Sequence, residues 1–287
     1  DKNVFFLVDN DGKFAAFMLN EEADKLISLK SDINALFNSP VLGYNSKDDI
    51  VYQFWANRDS HEVYYFDPKT DYAPTTAISS ISWDDPNFPN IEGFGVWAAK
   101  CNFTMGPDGK MYSRMLGGNL VRIDVENARG ENLTNGDLVG TKDGSAYGLV
   151  FDPQDENVFY FSNNDKHCIY KYDLRTKECA CWAGQEGKSG YLDGPIGQAM
   201  FNKPGQMCVD SEGNIILTDT ENHCIRKITM STGYVSTLAG KPQNSGYVNG
   251  SAEDAQFKKP LGICIDNDDV MYIGDSENRA IRRLAVE

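Results

Sequence analysis

Phe201-Asn-Lys-Pro204 recurs as Phe257-Lys-Lys-Pro260, and Asp219-Thr-Glu-Asn-His-Cys-Ile-Arg226 recurs as Asp275-Ser-Glu-Asn-Arg-Ala-Ile-Arg282, both at an offset of 56 residues. The loops repeat too, Ser189-Gly-Tyr-Leu-Asp-Gly194 against Ser245-Gly-Tyr-Val-Asn-Gly250. Upstream, His167-Cys-Ile169 and Ala183-Gly184 lie 56 residues before His223-Cys-Ile225 and Ala239-Gly240. A fixed period of this length marks a repeat architecture, and the period decides the fold before any single element does.

Each unit reads as four short strands, a to d, with turn residues between them. In the fifth unit these are Gly205–Asp210, Ile215–Asp219, Cys224–Thr229 and Tyr234–Ala239. The a–b turn is the most portable mark, because Asp with Gly supplies the positive φ of a tight reversal. It appears as Asp9-Asn-Asp-Gly12, Pro107-Asp-Gly109 and Ser211-Glu-Gly-Asn214. With that template the 287-residue chain divides into six blades of one domain, near 1–37, 38–85, 86–140, 141–185, 186–241 and 242–287. Four-stranded blades arranged about an axis make an all-β, six-bladed β-propeller. The last blade stops after its third strand, Ala280–Ala285, so the ring closes either with a three-stranded blade or with a strand from upstream of Asp1.

The segments Phe-x-x-Pro, Asp-Thr-x-Asn-His-x-Ile-Arg-Lys-Ile and Thr-Leu-Ala-Gly resemble NHL repeats over 141–287, less closely over 86–140 and least over 1–85. The resemblance implies a six-bladed propeller. The long Gly-Tyr-x-x-Gly loops are similar to those of bacterial exported NHL proteins, some with a TIG domain ahead of the propeller. That implies an extracytoplasmic place, in the periplasm or at the cell surface.

The formal charge of −15 repels phosphate backbones, so nucleic acid is not an expected partner. Residues 1–85 carry fifteen acidic side chains against seven basic ones, which makes the acidity uneven. No apolar run is long enough to span a bilayer. The seven cysteines stand in matching apolar runs, Cys208 with Cys264 and Cys168 with Cys224, and fit packing better than a disulfide framework.

In such a blade the b–c and d–a loops share one face, and ligands are expected there. The b–c loops are Asn57-Arg-Asp-Ser-His61, Arg114–Gly118, Asn163–His167, Asp219–His223 and Asp275–Arg279. The candidate binding residues are Tyr191 and Tyr247 in the d–a loops, with Asp219, Glu221, Asp275 and Arg279 in the b–c loops. Aromatic planes beside carboxylates suit sugars or peptides. Trp83, Phe88, Trp97, Tyr147 and Trp182 also lie near loops, although Trp182 aligns with Leu238 in an outer strand and reads as packing. The three histidines His61, His167 and His223 share one template position. Equivalent positions in successive blades stand about 10 Å apart, too far for ligands that need about 2 Å to one zinc ion. They read as loop packing.

No Gly-x-Ser-x-Gly, Gly-x-x-x-x-Gly-Lys or Gly-x-Gly-x-x-Gly motif occurs. The peptidyl-hydroxyglycine amidating lyases and the streptogramin lyases resemble NHL propellers, but their chemistry rests on histidines at the axis, and no histidine falls on an inner strand here. The expectation is therefore a monomeric, non-catalytic binding or scaffold propeller for a protein or glycan, with no cofactor. The alternatives are a channel-centred calcium-dependent lyase or hydrolase held by carboxylates such as Asp219, Glu221, Asp275 and Glu277, and a structural spacer in a multidomain surface protein.

Overall fold

The computed structural model describes residues 103–114, 118–134 and 147–285 and, upstream, strand segments with short flanks at 4–8, 13–19, 26–34, 41–45, 50–56, 63–66, 70, 73–79 and 81–84. The predicted turn Asp9–Gly12, the loop at 57–61 with His61, and Phe88 and Trp97 lie outside the described residues. The described residues are β-strands joined by turns and two short 3-10 turns. Among them no helix is long and apolar enough to cross a membrane.

The chain divides into two compact units, one of Asp1–Ala99, Phe103–Met115 and Val121–Asn132, the other of Lys100–Asn102, Leu116–Leu120 and Leu133–Glu287. In the first, β1 (Val4–Val8), β2 (Lys13–Leu19) and β3 (Leu26–Asn34) form a meander, followed by a four-stranded sheet of β4 (Val41–Asn45), β5 (Ile50–Ala56), β6 (Val63–Phe66) and β7 (Pro74–Ile78). A further sheet runs in the order β8 (Ser82–Trp83), β12 (Arg129–Asn132), β11 (Leu120–Asp124), β10 (Met111–Arg114), β9 (Thr104–Met105). Its a–b reversal turns on Gly109 at φ 72°, as the Pro-Asp-Gly signature requires.

The second unit holds three successive sheets. The first contains β13 (Leu149–Asp152), β14 (Asp155–Asn163), β15 (Cys168–Asp173) and β16 (Cys179–Gly184). The second runs β17 (Gly194–Pro195), β21 (Tyr234–Ala239), β20 (Cys224–Thr229), β19 (Ile215–Asp219), β18 (Pro204–Val209). The third holds β22 (Pro260–Ile265), β23 (Met271–Asp275) and β24 (Ala280–Leu284). The four strands expected in blade five thus coincide with β18 to β21 to within a residue. The short β17 is an addition the sequence did not announce. It pairs antiparallel with the outer strand β21, Gly194 opposite Val235 and Pro195 opposite Tyr234.

Strand alternation builds the core. On β19, Ile215 and Leu217 point to the preceding sheet, packing with Val150, Tyr160 and Ile169, while Ile216 points to the following sheet, packing with Ile263, Met271 and Ile273. Successive side chains leave a strand on opposite faces, so one central strand serves two interfaces. Each such buried aliphatic contributes about 1.5–3 kcal/mol over its exposed state. Trp182 packs against Tyr160 with ring centroids 4.2 Å apart and the rings tilted by 38°, as its alignment with an outer-strand leucine implies. The six described cysteines are free, with Cys168 and Cys224 buried.

Candidate functional site

The b–c turn of blade five begins at Asp219, passes through the 3-10 turn Thr220–Asn222 and ends at His223 in the left-handed region, φ 59°. Blade six does the same from Asp275 through Ser276–Asn278 to Arg279, φ 53°. His167 holds the equivalent conformation at φ 56°. The next blade's backbone explains the histidines. The Lys203 N–H donates to Nδ1 of His167 at 3.1 Å, and the Lys259 N–H donates to Nδ1 of His223 at 3.2 Å. Each therefore latches its b–c turn to the following d–a loop.

Asp219 is fully buried. Its Oδ2 accepts from Nη1 of Arg226 at 2.6 Å and from Nδ2 of Asn222 at 2.8 Å, and its Oδ1 accepts the Asn202 N–H at 2.8 Å. Burial pushes the carboxyl up to about 6, opposed by Arg226, Asn222 and the Asn202 N–H. Arg226, itself fully buried, also donates from Nη2 to Oδ1 of Asp193 at 2.6 Å and to the Leu192 carbonyl at 3.0 Å. Its guanidinium lies between the rings of Tyr191 and Phe201, 4.8 and 5.2 Å from their centroids. Tyr191 completes the arrangement, its hydroxyl 2.8 Å from Oγ1 of Thr237 on the outer strand.

Blade six repeats this clamp. Arg282 donates to Asp275 at 2.9 Å, to the Val248 carbonyl at 2.7 Å and to Oδ1 of Asn249 at 2.7 Å, between the rings of Tyr247 and Phe257. Asn278 joins it through the Gly246 carbonyl at 2.7 Å and Asp275 at 2.8 Å. The signature Asp, Asn, Arg and Phe residues thus fix the loops to the blade. In blade four Asn163 and Tyr170 stand where Asp219 and Arg226 stand in blade five, so the clamp is absent there.

Of the six candidate residues, Asp219 and Asp275 are enclosed and their carboxylate oxygens occupied, and Tyr191 is half-buried against Arg226. Tyr247, Arg279 and Glu221 reach solvent, and the Glu221 carboxylate lies 3.4 Å from Nζ of Lys259, which also pairs with Glu277 at 2.9 Å. Sequence reasoning passed over Leu192 and Val248, two residues beside the tyrosines, which are 46% and 42% exposed. Their signal was an apolar residue at the same place in two otherwise polar loops. Among the described residues no three His, Cys, Asp or Glu side chains group together.

Successive β-sheets, two of them fastened by an Asp–Arg clamp, make an all-β propeller fold. Residues 201–228 match the NHL repeat family, so the chain carries an NHL repeat there. It is 30% identical over 152 residues to NHL repeat-containing protein 2 of Gallus gallus, covering 52% of this chain and 19% of that one. The chain spans about a quarter or less of the length of the curated relatives it matches. Two solved structures share the fold. One is a protein of unknown function from Bacteroides thetaiotaomicron, with TM-score 0.77, 22% identity and coverage of 99% of this chain and 67% of that one. The other is an auxiliary nutrient binding protein from the same organism, with TM-score 0.71, 21% identity, and coverage of 98% and 68%.

Proposed function

We propose that the chain is a single six-bladed, non-catalytic propeller that works outside the cytoplasm as a monomer and presents its b–c and d–a loop face to a protein or glycan ligand. Leu192 and Val248 carry this reading. They are apolar and exposed to nearly the same degree in two successive blades. Arg226 and Arg282 grip the carbonyl of each, so both are held out on rigid loops rather than tucked in. Rigid apolar contacts lose little entropy on binding and suit the centre of a recognition patch. Tyr247 stands beside Val248 in the chain, and Glu221 and Arg279 offer polar contacts from the b–c turns of the same two blades. The likeness to an auxiliary nutrient binding protein agrees with a binding role.

The test is to screen the protein on a glycan array and a protein array, then titrate any hit against the Leu192→Ser/Val248→Ser double variant. Both residues are surface-exposed, so circular dichroism should remain unchanged. Loss of this patch is expected to weaken binding about tenfold or more. An undiminished affinity, or no ligand from either array, contradicts the proposal.

A further inference from the structure

The outer strands of blade four carry a side-chain pair that blade five does not. Cys168 opens β15 opposite Gly184, Ile169 stands opposite Ala183, and Tyr170 opposite Cys181, so the ladder bulges at Trp182. The extra residue lets Trp182 and Ala183 both face the core, where they pack with Tyr160 and Ile169. Cys181 therefore leaves β16 on the other face, the one shared by Cys168 and Tyr170. Blade five bulges at the same place, between Ile225 and Arg226, and sets Cys224, Arg226 and Thr237 at the three positions. There Arg226 turns to Asp219 and Asp193, and Thr237 to Tyr191. With tyrosine in place of that arginine and cysteine in place of that threonine, the two sulfurs of blade four meet. The Cys168 S–H donates to the sulfur of Cys181, which lies 3.8 Å from the Gly184 carbonyl oxygen.

We propose that Cys168 and Cys181 are a reactive dithiol that closes to a disulfide across the bulge of blade four, with a small-molecule disulfide as oxidant. Cys181 is the attacking sulfur. It is half-buried, whereas Cys168 is fully buried. The hydrogen bond from Cys168 holds the Cys181 thiol below its ordinary value, aided by the Glu186 N–H and opposed by burial and the Glu186 charge. The same hydrogen bond, with burial, pushes the Cys168 thiol up. The Cys181 thiolate attacks one sulfur of the oxidant and expels the other as a thiolate, which takes up the proton that Cys181 released. Sγ of Cys168 then gives up its proton, attacks Sγ of Cys181 and expels the second thiol. The protein loses two electrons and two protons, and the oxidant becomes two thiols. The bridge pins β16 to β15 three residues before Gly184, where the chain enters the loop that carries Tyr191 and Leu192.

The test exposes the whole reduced chain to oxidised glutathione, unfolds it in urea with N-ethylmaleimide to block the remaining thiols, and maps the tryptic peptides without reduction. The expected product lacks two hydrogens and joins the peptide His167–Lys171 to the peptide Glu178–Lys188. Cys179 shares the second peptide, so the same link must form in Cys179→Ser. Cys168→Ser should stop at the first step, with glutathione held on Cys181. Cys181→Ser should leave Cys168 a free thiol. Dithiothreitol should restore the parent mass. A link through Cys179, a glutathione adduct on Cys168, or a pair still reduced in excess oxidised glutathione overturns the proposal. The peptide map of the unsubstituted protein decides the matter even where a serine variant fails to fold.

Discussion

Blade five and blade six fold from similar sequences, and among the described residues they differ in the number of strands, five in the first sheet and three in the second. Both close a buried arginine between two aromatic rings and a carboxylate, and both hang a d–a loop on that arginine. Blade five then seals the arrangement with β21, β17 and a second carboxylate, Asp193. Blade six has Asn249 there, and β24 is the last strand of its sheet among the described residues. The clamp is thus a property of the repeat, while its burial depends on the neighbouring strand.

The largest expected effect follows from removing the clamp. Arg226→Met leaves Asp219 buried without its partner and should cost about 3–5 kcal/mol of unfolding free energy in urea titrations. Arg282→Met should cost about 1–2 kcal/mol less, because blade six is more open to water and lacks the second carboxylate. Equal losses would erase the distinction between the blades. A smaller contrast concerns packing. Ile225→Ala should cost about 2–4 kcal/mol and Ile281→Ala about 1 kcal/mol, since only the first empties a sealed space. If Ile281 proves the costlier site, the burial contrast between the two blades does not hold.

The smallest effect is a pH dependence. Burial and the nearby Lys203 charge hold His167 below its ordinary value of 6.5. Its neutral form also accepts the Lys203 N–H. The stabilisation from this group is therefore complete above pH 6.5 and is lost as pH falls through the depressed folded value. A proton NMR titration should place the His167 midpoint below 6.5. A midpoint at or above that value would mean the latch between the b–c turn and the d–a loop does not hold.

Much of this was legible in the sequence because period and turn chemistry are local. The 56-residue offset, the Asp and Gly reversals and the alternation of Ile215, Ile216 and Leu217 place the four strands of blade five, and Ala280–Ala285 of blade six, within a residue. The roles of Asp219 and Asp275 were not legible. A carboxylate at a loop start looks like a ligand group until its partner is seen, and Arg226 lies seven residues away on another strand, pointing inward. The exposure of Leu192 and Val248 was hidden for the converse reason, because an apolar residue in a loop ordinarily packs.

The most direct test of the difference between these blades is hydrogen exchange at the backbone of the intact protein, comparing β20 with β24 amide by amide. The outward-facing amides of Cys224–Thr229 should exchange at least about tenfold more slowly than their counterparts in Ala280–Leu284, because β21 pairs with the first strand and the second ends its sheet. Equal protection of the two strands would contradict the claim that burial of the clamp depends on the strand beside it.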